Sequence, residues 1–560
     1  MTTTPHNETL ASLLLERLAT EPQAEICRLV RGDGNCDSVT VERLMRKAMA
    51  YAEYLGPVHG RRKIVGISLY HGLDLHAAFI GGLLSGHIPT MLAPPSPRME
   101  RGKYASAFRQ MVRHIEPDHL VVDKDVYREL ETLDLAEASS VLVDAGTIPD
   151  RGDFAPCAHD PDGLALIQHS SGTTGLQKGV GLTHRAILAH HRLYSSRLDI
   201  TPRDVIVSWL PLYHDMGFMA CFLLPLMRRV LFVEMSPFDW VRQPGMLLEQ
   251  IHKHRGTLCW MPNFAYSFLA ESVRQVPEEL DLSSMRAWIN CSEPVYHSSH
   301  KAFLARFGRY GADRSQLSAS YAMAENVFAV TQSLPGEYRE LAVNRQTFMS
   351  EHRAQRSDKP DALTFVSNGR VLQGTEVAVA DDAGGFLEPG CVGELWVRGI
   401  HRFSEYFGRA DLTASAMTEH GWYRTGDLGF VFENELYVTG RKKELLIIQG
   451  RNFYPADIED VVGRIEGVAP GRVVAFGIAD EASGTERLTI LAEADNPAPG
   501  SEKRLALTVR NRVAQELDCT PGDVRIVPSR WLIKSTSGKL ARTDNRRKYI
   551  EQFTASKLPQ

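Results

Sequence analysis

From about residue 60 to 330, short apolar runs alternate with stretches of helical spacing. The runs are KIVGISLY, HLVVD, LALIQ, DVIVSWL, VLFVE, TLCWM and MRAWIN. Between most of them lie segments such as WVRQPGMLLEQIHKH, NFAYSFLAESVRQ and HKAFLARFG. Strand then helix, repeated, predicts an α/β architecture with largely parallel sheets. No short-period repeat of solenoid type interrupts it. Near residue 365 the pattern changes. TEVAVAD, GELWVRG and LGFVFENELYVTG are short strands separated by Gly, Asp and Pro, which predicts a small β-rich subdomain over about 365–440. After TGRKK (439–443) come ELLIIQG, the helical PADIEDVVGRI, the strands RVVAFGIA and RLTILAEA, the helical EKRLALTVRNRVAQEL, and DVRIV. They predict an independent α+β domain over 441–560, following a domain over 1–440, with the basic polar junction as a hinge candidate.

Composition narrows the function classes. The chain has 560 residues, too many for one core, with 43% apolar and 23% charged residues, as in an ordinary globular protein. A net charge of −5 and a pI near 6.5 argue against a nucleic-acid partner. Cys27, Cys36, Cys157, Cys221, Cys259, Cys291, Cys391 and Cys519 lie far apart with no CxxC pair, so neither a zinc motif nor a disulfide framework is expected. The first residues, MTTTPHNETLASLLLERLATEP, lack the signature of a signal peptide. The most apolar stretch, MGFMACFLLPLM (216–227), is too short to span a bilayer and contains Pro225, so a buried helix is expected. A cytoplasmic protein with reduced thiols and no membrane span follows.

Chemistry concentrates first in HSSGTTGLQKG (169–179), between the apolar LALIQ and the helically spaced VGLTHRAILAHHRLYSS. Backbone N–H groups of a glycine-rich turn form an anion nest, to which Ser170, Ser171, Thr173 and Thr174 add hydroxyls and Lys178 a charge. Gly172 and Gly175 stand too close for Walker A, and Lys178 is followed by Gly179. The loop is therefore either a polyphosphate cradle or a plain flexible connection. Further polar clusters follow at strand ends, where ligands bind in open α/β sheets. They are SWLPLYHDMG (208–217), NCSEPV (290–295) and SASYAMAE (318–325). YRTGDLG (423–429), TGRKKELLIIQGRNFYP (439–455) and KSTSGKLAR (534–542) complete the set.

In this order the clusters resemble those of the adenylate-forming superfamily, over nearly the whole chain. LPLYHDMG, PNFAY, NCSEPV and GRKKELLIIQGRNFYPADIE are most similar to the fatty acyl-AMP ligases. The resemblance implies two α/β sheet subdomains plus a β-rich one, followed by a mobile α+β C-terminal domain. It also implies ATP-dependent activation of a carboxylic, fatty acid to acyl-AMP with release of pyrophosphate. Such chemistry rests on in-line positioning and charge neutralisation. The loop with Ser170, Ser171, Gly172, Thr173, Thr174, Gly175 and Lys178 would hold ATP phosphates. Ser292, Glu293, Tyr321 and Ala322 would line the nucleotide site, with Tyr321 on adenine. Asp427 and Arg441 would hold the ribose, and Glu325 would ligate Mg²⁺. Ala324 stands where the family often has a threonine.

Lys539, on a glycine-flexed loop, would bridge the acyl carboxylate and the α-phosphate. His214 would sit at the mouth of the acyl tunnel, Lys443 would be the hinge, and Asp215 would be no amino-acid clamp. Without the motifs, Tyr321 and His214 read equally as core residues, Asp427 as a turn aspartate, Arg441 as a solvated arginine, and Lys539 as part of a surface tail.

The acyl acceptor is either the phosphopantetheine arm of an acyl carrier protein or coenzyme A. The long polar segment LPGEYRELAVNRQTFMSEHRAQRSDKPDAL (334–363) resembles the insertion of the acyl-AMP ligases, which disfavours the coenzyme, although it also reads as a plain surface loop. Lys539, Arg542, Arg546, Arg547 and Lys548 make a basic tail suited to an acidic carrier. Met216, Gly217, Trp260, Met261 and Asn263 would line the tunnel. Trp260 and Met261 are large for that place, so short or medium chains are expected, in a polyketide or nonribosomal peptide setting. The competing functions are an acyl-CoA synthetase and a catalytically silent adenylate-binding module.

Overall fold

The computed structural model describes residues 7–95, 101–132, 142–169, 178–448, 451–480, 485–495, 500–517, 519–534 and 539–554. Two large sheets, each parallel in its middle, organise the chain up to residue 406. One is seven-stranded. Its parallel part runs through Leu164–His169, Ile88–Met91, Ile64–Ser68, His119–Val122 and Leu142–Asp144. The other is nine-stranded, with Leu317–Ala322, Ala287–Asn290, Leu258–Met261, Val205–Ser208, Leu231–Met235 and Glu25–Val30 parallel in that spatial order. Strands such as Leu258–Met261 and Ala287–Asn290 are buried at every position. Helices cover both faces of such sheets, which is why these strands read as unbroken apolar runs rather than alternating ones.

Three local readings change. VGLT does not begin the helix. Gly179–Thr183 is a strand antiparallel to Leu164–His169, and the helix starts at His184 with Thr183 as its cap. WVRQPGMLLEQIHKH is two helices, Pro237–Arg242 and Gly245–His254. Proline disfavours a helical residue before it, and Gln243 accordingly stands at φ −135°, ψ 73°. MGFMACFLLPLM is buried and helical as expected, but Met216–Leu223 is wound as a π-helix before Leu224–Arg228 continues as α.

Thr375–Ala380, Gly393–Gly399, Tyr423–Phe432 and Glu435–Arg441 form an antiparallel four-stranded sheet. The segment 334–363 is not a featureless polar loop. Its strand Glu340–Val343 pairs with Leu363–Val366, and the helix Arg345–Glu351 lies between them, capped by Asn344. Leu341, Val343 and Phe348 are buried in one cluster with Phe430, Tyr437 and Tyr454, so its polar residues cover an apolar underside. Beyond it, Val468–Asp480, Thr485–Ala494 and Asp523–Val527 make a three-stranded sheet, packed with the helices Pro455–Gly463 and Glu502–Leu517 around Ile458, Val462, Ile490, Val509 and Val513. Met349 touches this core as well as the cluster beneath the 334–363 segment.

Candidate active site

The corner expected to hold the ribose is built by strand register. Glu433 and Asn434, both at positive φ (51° and 62°), form the two-residue turn between the last two strands of the four-stranded sheet. From there the ladder pairs Phe432 with Glu435 and Phe430 with Tyr437. Continued unbroken, it would set Asp427 opposite Gly440. A register shift between Leu428 and Gly429 moves it by one residue and sets Asp427 opposite Arg441. Arg441 Nε lies 3.2 Å from Asp427 Oδ1, and Tyr321 Oη donates to Asp427 Oδ2 at 2.6 Å. Burial pushes the Asp427 carboxyl above its usual range, with Arg441 and Tyr321 opposing. Tyr321 comes from the large sheet, and its ring packs with Leu395, Val397 and Leu436 of the smaller one, locking the two together. Ala322 ends the same strand, half-buried.

Glu325 lies just beyond that strand and is buried. Its Oε1 accepts from Tyr406 Oη at 2.7 Å, and Tyr406 in turn meets Tyr423 Oη at 3.0 Å. Lys178 Nζ sits 4.2 Å over the Tyr406 ring, so the lysine at the end of the glycine-rich loop faces the same carboxylate. Burial lowers Lys178, with Glu325 opposing. Ser170, Ser171, Gly172, Thr173, Thr174 and Gly175 lie outside the described residues, while the flanking ladder sets His169 opposite Gly179. Glu325 Oε2 makes no hydrogen bond among the described residues. One hard oxygen donor fits Mg²⁺, which is held by one or two carboxylates plus substrate phosphates. Val327 follows at φ 64°, ψ −58°, in a γ-turn closed by Phe328 N–H to Asn326 O at 2.7 Å. A β-branched residue there stores strain on the order of 1–3 kcal/mol. No residue type in the sequence announces it.

The remaining side is made by LPLYHDMG and NCSEPV. His214 Nδ1 lies 2.7 Å from Asp215 Oδ1, and the same oxygen accepts the Met216 N–H at 2.8 Å. Asp215 thus orients the imidazole and caps the π-helix. His214 Nε2 is buried without a hydrogen-bond partner. Burial raises Asp215, but His214 and Lys539 outweigh it and hold the carboxyl below its usual range. Lys539 arrives from beyond the three-stranded sheet, and its Nζ donates to the Ser292 carbonyl at 2.5 Å. Ser292 stands at φ 70°, in the left-handed region that residues with a side chain rarely adopt.

Several residues expected at the ligand also carry structure. The Glu293 carboxylate accepts the Phe264 N–H at 3.0 Å, capping the helix Asn263–Ser272. Asn263 Oδ1 accepts from Asn290, the Tyr296 N–H and Ser299 at 3.0, 3.1 and 2.8 Å. A Cβ on Gly217 would meet the Pro211 carbonyl at 2.4 Å, so the turn after His214 requires glycine. Trp260 and Met261 are fully buried, and Met216 nearly so. Trp260 Nε1 donates to Tyr194 Oη at 2.9 Å, which donates to Gln332 Oε1 at 2.7 Å. Lys443 lies in the short turn Lys442–Glu444, between the four-stranded sheet and the C-terminal domain.

The profile of AMP-binding enzymes matches residues 15–407, and the chain belongs to that family. It is an adenylate-forming enzyme, close to the fatty acyl-AMP ligases. It is 31% identical over 463 residues to a putative ligase of Mycobacterium tuberculosis, covering 81% of this chain and 84% of that one. It is 29% identical over 579 residues to 4-hydroxyphenylalkanoate adenylyltransferase of the same organism, covering 97% and 91%. A medium-chain-fatty-acid–[acyl-carrier-protein] ligase of Moorena producens, JamA, is 28% identical over 553 residues, covering 93% and 92%. Among solved structures, a study of fatty acyl-adenylate ligases from E. coli and L. pneumophila matches with TM-score 0.87 at 24% identity, covering 98% of each chain. The L. pneumophila fatty acyl-adenylate ligase in complex with acyl adenylate and pyrophosphate matches with TM-score 0.73 at 26% identity, covering 97% and 96%. Among the described residues no helix is long and apolar enough to cross a membrane.

Proposed function

We propose that this protein joins a short or medium-chain carboxylic acid to AMP and passes the acyl group to the phosphopantetheine thiol of an acyl carrier protein. The observation that carries the reading is the convergence of Lys539, Asp215 and His214 on one corner, beside the finished ribose corner. The acid carboxylate attacks the α-phosphorus, the bond to the β-phosphate oxygen breaks, and pyrophosphate leaves. His214, held by Asp215, presents its free Nε2 to the acid. Lys539 exchanges the Ser292 carbonyl for the negative oxygens that approach each other, a charge compensation made where the transition state needs it. Asp427 accepts from the ribose hydroxyls, flanked by Tyr321 and Arg441. Glu325 and Lys178 would hold Mg²⁺ and the phosphates, the cation supplying charge neutralisation to the departing pyrophosphate.

Trp260, tied to Tyr194, fills space behind the acid and supports the shorter chain. The 334–363 segment, packed on the β-rich sheet and reaching the C-terminal core through Met349, supports carrier protein over coenzyme A. The test offers purified protein ATP and an acid panel with either free coenzyme A or a holo-carrier protein. Thioester on the carrier alone is expected. Efficient acyl-CoA formation overturns the acceptor, and a preference for chains of about sixteen carbons or more overturns the pocket reading, since each added methylene is worth about 1–3 kcal/mol.

A further inference from the structure

Behind LPLYHDMG, away from the nucleotide corner, three buried side chains from separate elements meet. Cys27 lies on the edgeward strand Glu25–Val30, Glu234 on its neighbour Leu231–Met235, and His76 on the helix Leu73–Leu84. Their exposures are 4%, 1% and 1%. One ligand atom from each lies within 4.8 Å of the others. A cavity of about 10 Å³ lies beside them, bounded by Cys27 and His76 and otherwise by the apolar Ile26, Leu44, Phe222, Leu226 and Phe232. His76 Nε2 approaches Glu234 Oε2 to 2.9 Å, so the two groups are paired, and among the described residues no third group hydrogen-bonds the carboxylate. His71 Nε2 stands 3.5 Å from the other oxygen and meets the Leu210 carbonyl at 3.2 Å.

We propose that Cys27, His76 and Glu234 bind one Zn²⁺-class cation that pins the helix Leu73–Leu84 to the sheet. A thiolate, an imidazole and a carboxylate form a donor set of the zinc type, and the sulfur disfavours Mg²⁺ and Ca²⁺. Binding releases the Cys27 proton and leaves a thiolate and a carboxylate around a dication, so the buried assembly is neutral. Without a cation, the plain alternative is His76 paired with Glu234. That pair leaves the Cys27 thiol without a role and the second carboxylate oxygen without a hydrogen bond, a costly state for a buried ion. The site is structural: through His71 it braces the Leu210 carbonyl at the start of the motif that carries His214.

The test uses the full-length protein, purified without a metal-affinity tag, exposed to Zn²⁺ and then freed of unbound metal. About one equivalent of zinc is expected by elemental analysis, and Co²⁺ loading should give the near-ultraviolet thiolate charge-transfer band of a Cys-ligated site. Cys27→Ser should abolish that band and Glu234→Gln should cut retention at least about tenfold, as loss of a ligand does. Wild type that retains no zinc overturns the proposal whatever the variants do. Undiminished retention by a folded Cys27→Ser protein overturns it equally. Adenylate formation plays no part in the readout, so the proposal stands or falls apart from the function proposed above.

Discussion

The ribose corner and the lysine seam are built in opposite ways. Tyr321, Asp427 and Arg441 sit on strands whose registers lock them, and the bulge beside Asp427 leaves one arrangement open to them. The seam has no such frame. Lys539 reaches Ser292 from near the end of the chain, accompanied by Ser298 Oγ on Asp460 at 2.7 Å and Lys534 Nζ over the Phe264 ring at 5.5 Å. On the proposed reading, the nucleotide contacts are preformed, whereas the lysine charge is delivered by a few polar contacts. That division suits an enzyme whose C-terminal domain turns between two half-reactions, a hinge motion of a familiar kind.

The largest way to sharpen the contrast is Lys539→Ala. Acyl-adenylate formation should fall about 10²–10³-fold while ATP affinity changes little, read by pyrophosphate release and by nucleotide titration. Next comes Lys443→Pro, which should keep acid-dependent pyrophosphate exchange but cut transfer to the thiol by roughly a hundredfold if the turn is the hinge. Transfer at the wild-type rate would remove Lys443 from that role. Asp427→Ala attacks the rigid side. Losing charged hydrogen bonds of about 1.5–3 kcal/mol should lower kcat/KM for ATP by about 10–100-fold, with KM carrying the change. Trp260→Leu should move the preferred acid longer, by roughly tenfold in relative kcat/KM per methylene admitted.

A separate effect concerns pH. Asp457 faces Tyr296 across the seam, and burial together with Asp460 raises it to about 7, with Arg345 opposing. An acid whose value is raised in the docked arrangement favours that arrangement only while protonated. The docked state should therefore lose ground as pH climbs from about 4 toward 7 and level off above, by at most about tenfold per unit. Asp457→Asn should flatten this profile, measured by a distance probe across the seam.

Sequence carried the strands buried on both faces, because continuous apolar runs survive in any register. It also carried the polar clusters at strand ends. It could not carry the bulge that pairs Asp427 with Arg441, because alternation along one strand says nothing of its partner's offset. The capping role of Glu293 and the hydrogen-bond hub at Asn263 were not legible, because a cap and a hub use the same side chains as a binding site. The Asp215 contact to His214 joins neighbours in sequence, and a capping aspartate before an apolar helix was the available signal. The core beneath the 334–363 segment stayed hidden because Leu341, Val343 and Phe348 are scattered among charges.

One measurement reaches the central claim, that a single acid-activating centre is assembled across the seam. Wild-type protein is mixed with ATP and a panel of carboxylic acids, and hydroxylamine traps any adenylate formed. The account predicts hydroxamate from at least one short or medium-chain acid, matched mole for mole by pyrophosphate, and almost none from Lys539→Ala. ATP left unconsumed with every acid, or equal trapping by the variant, would contradict it.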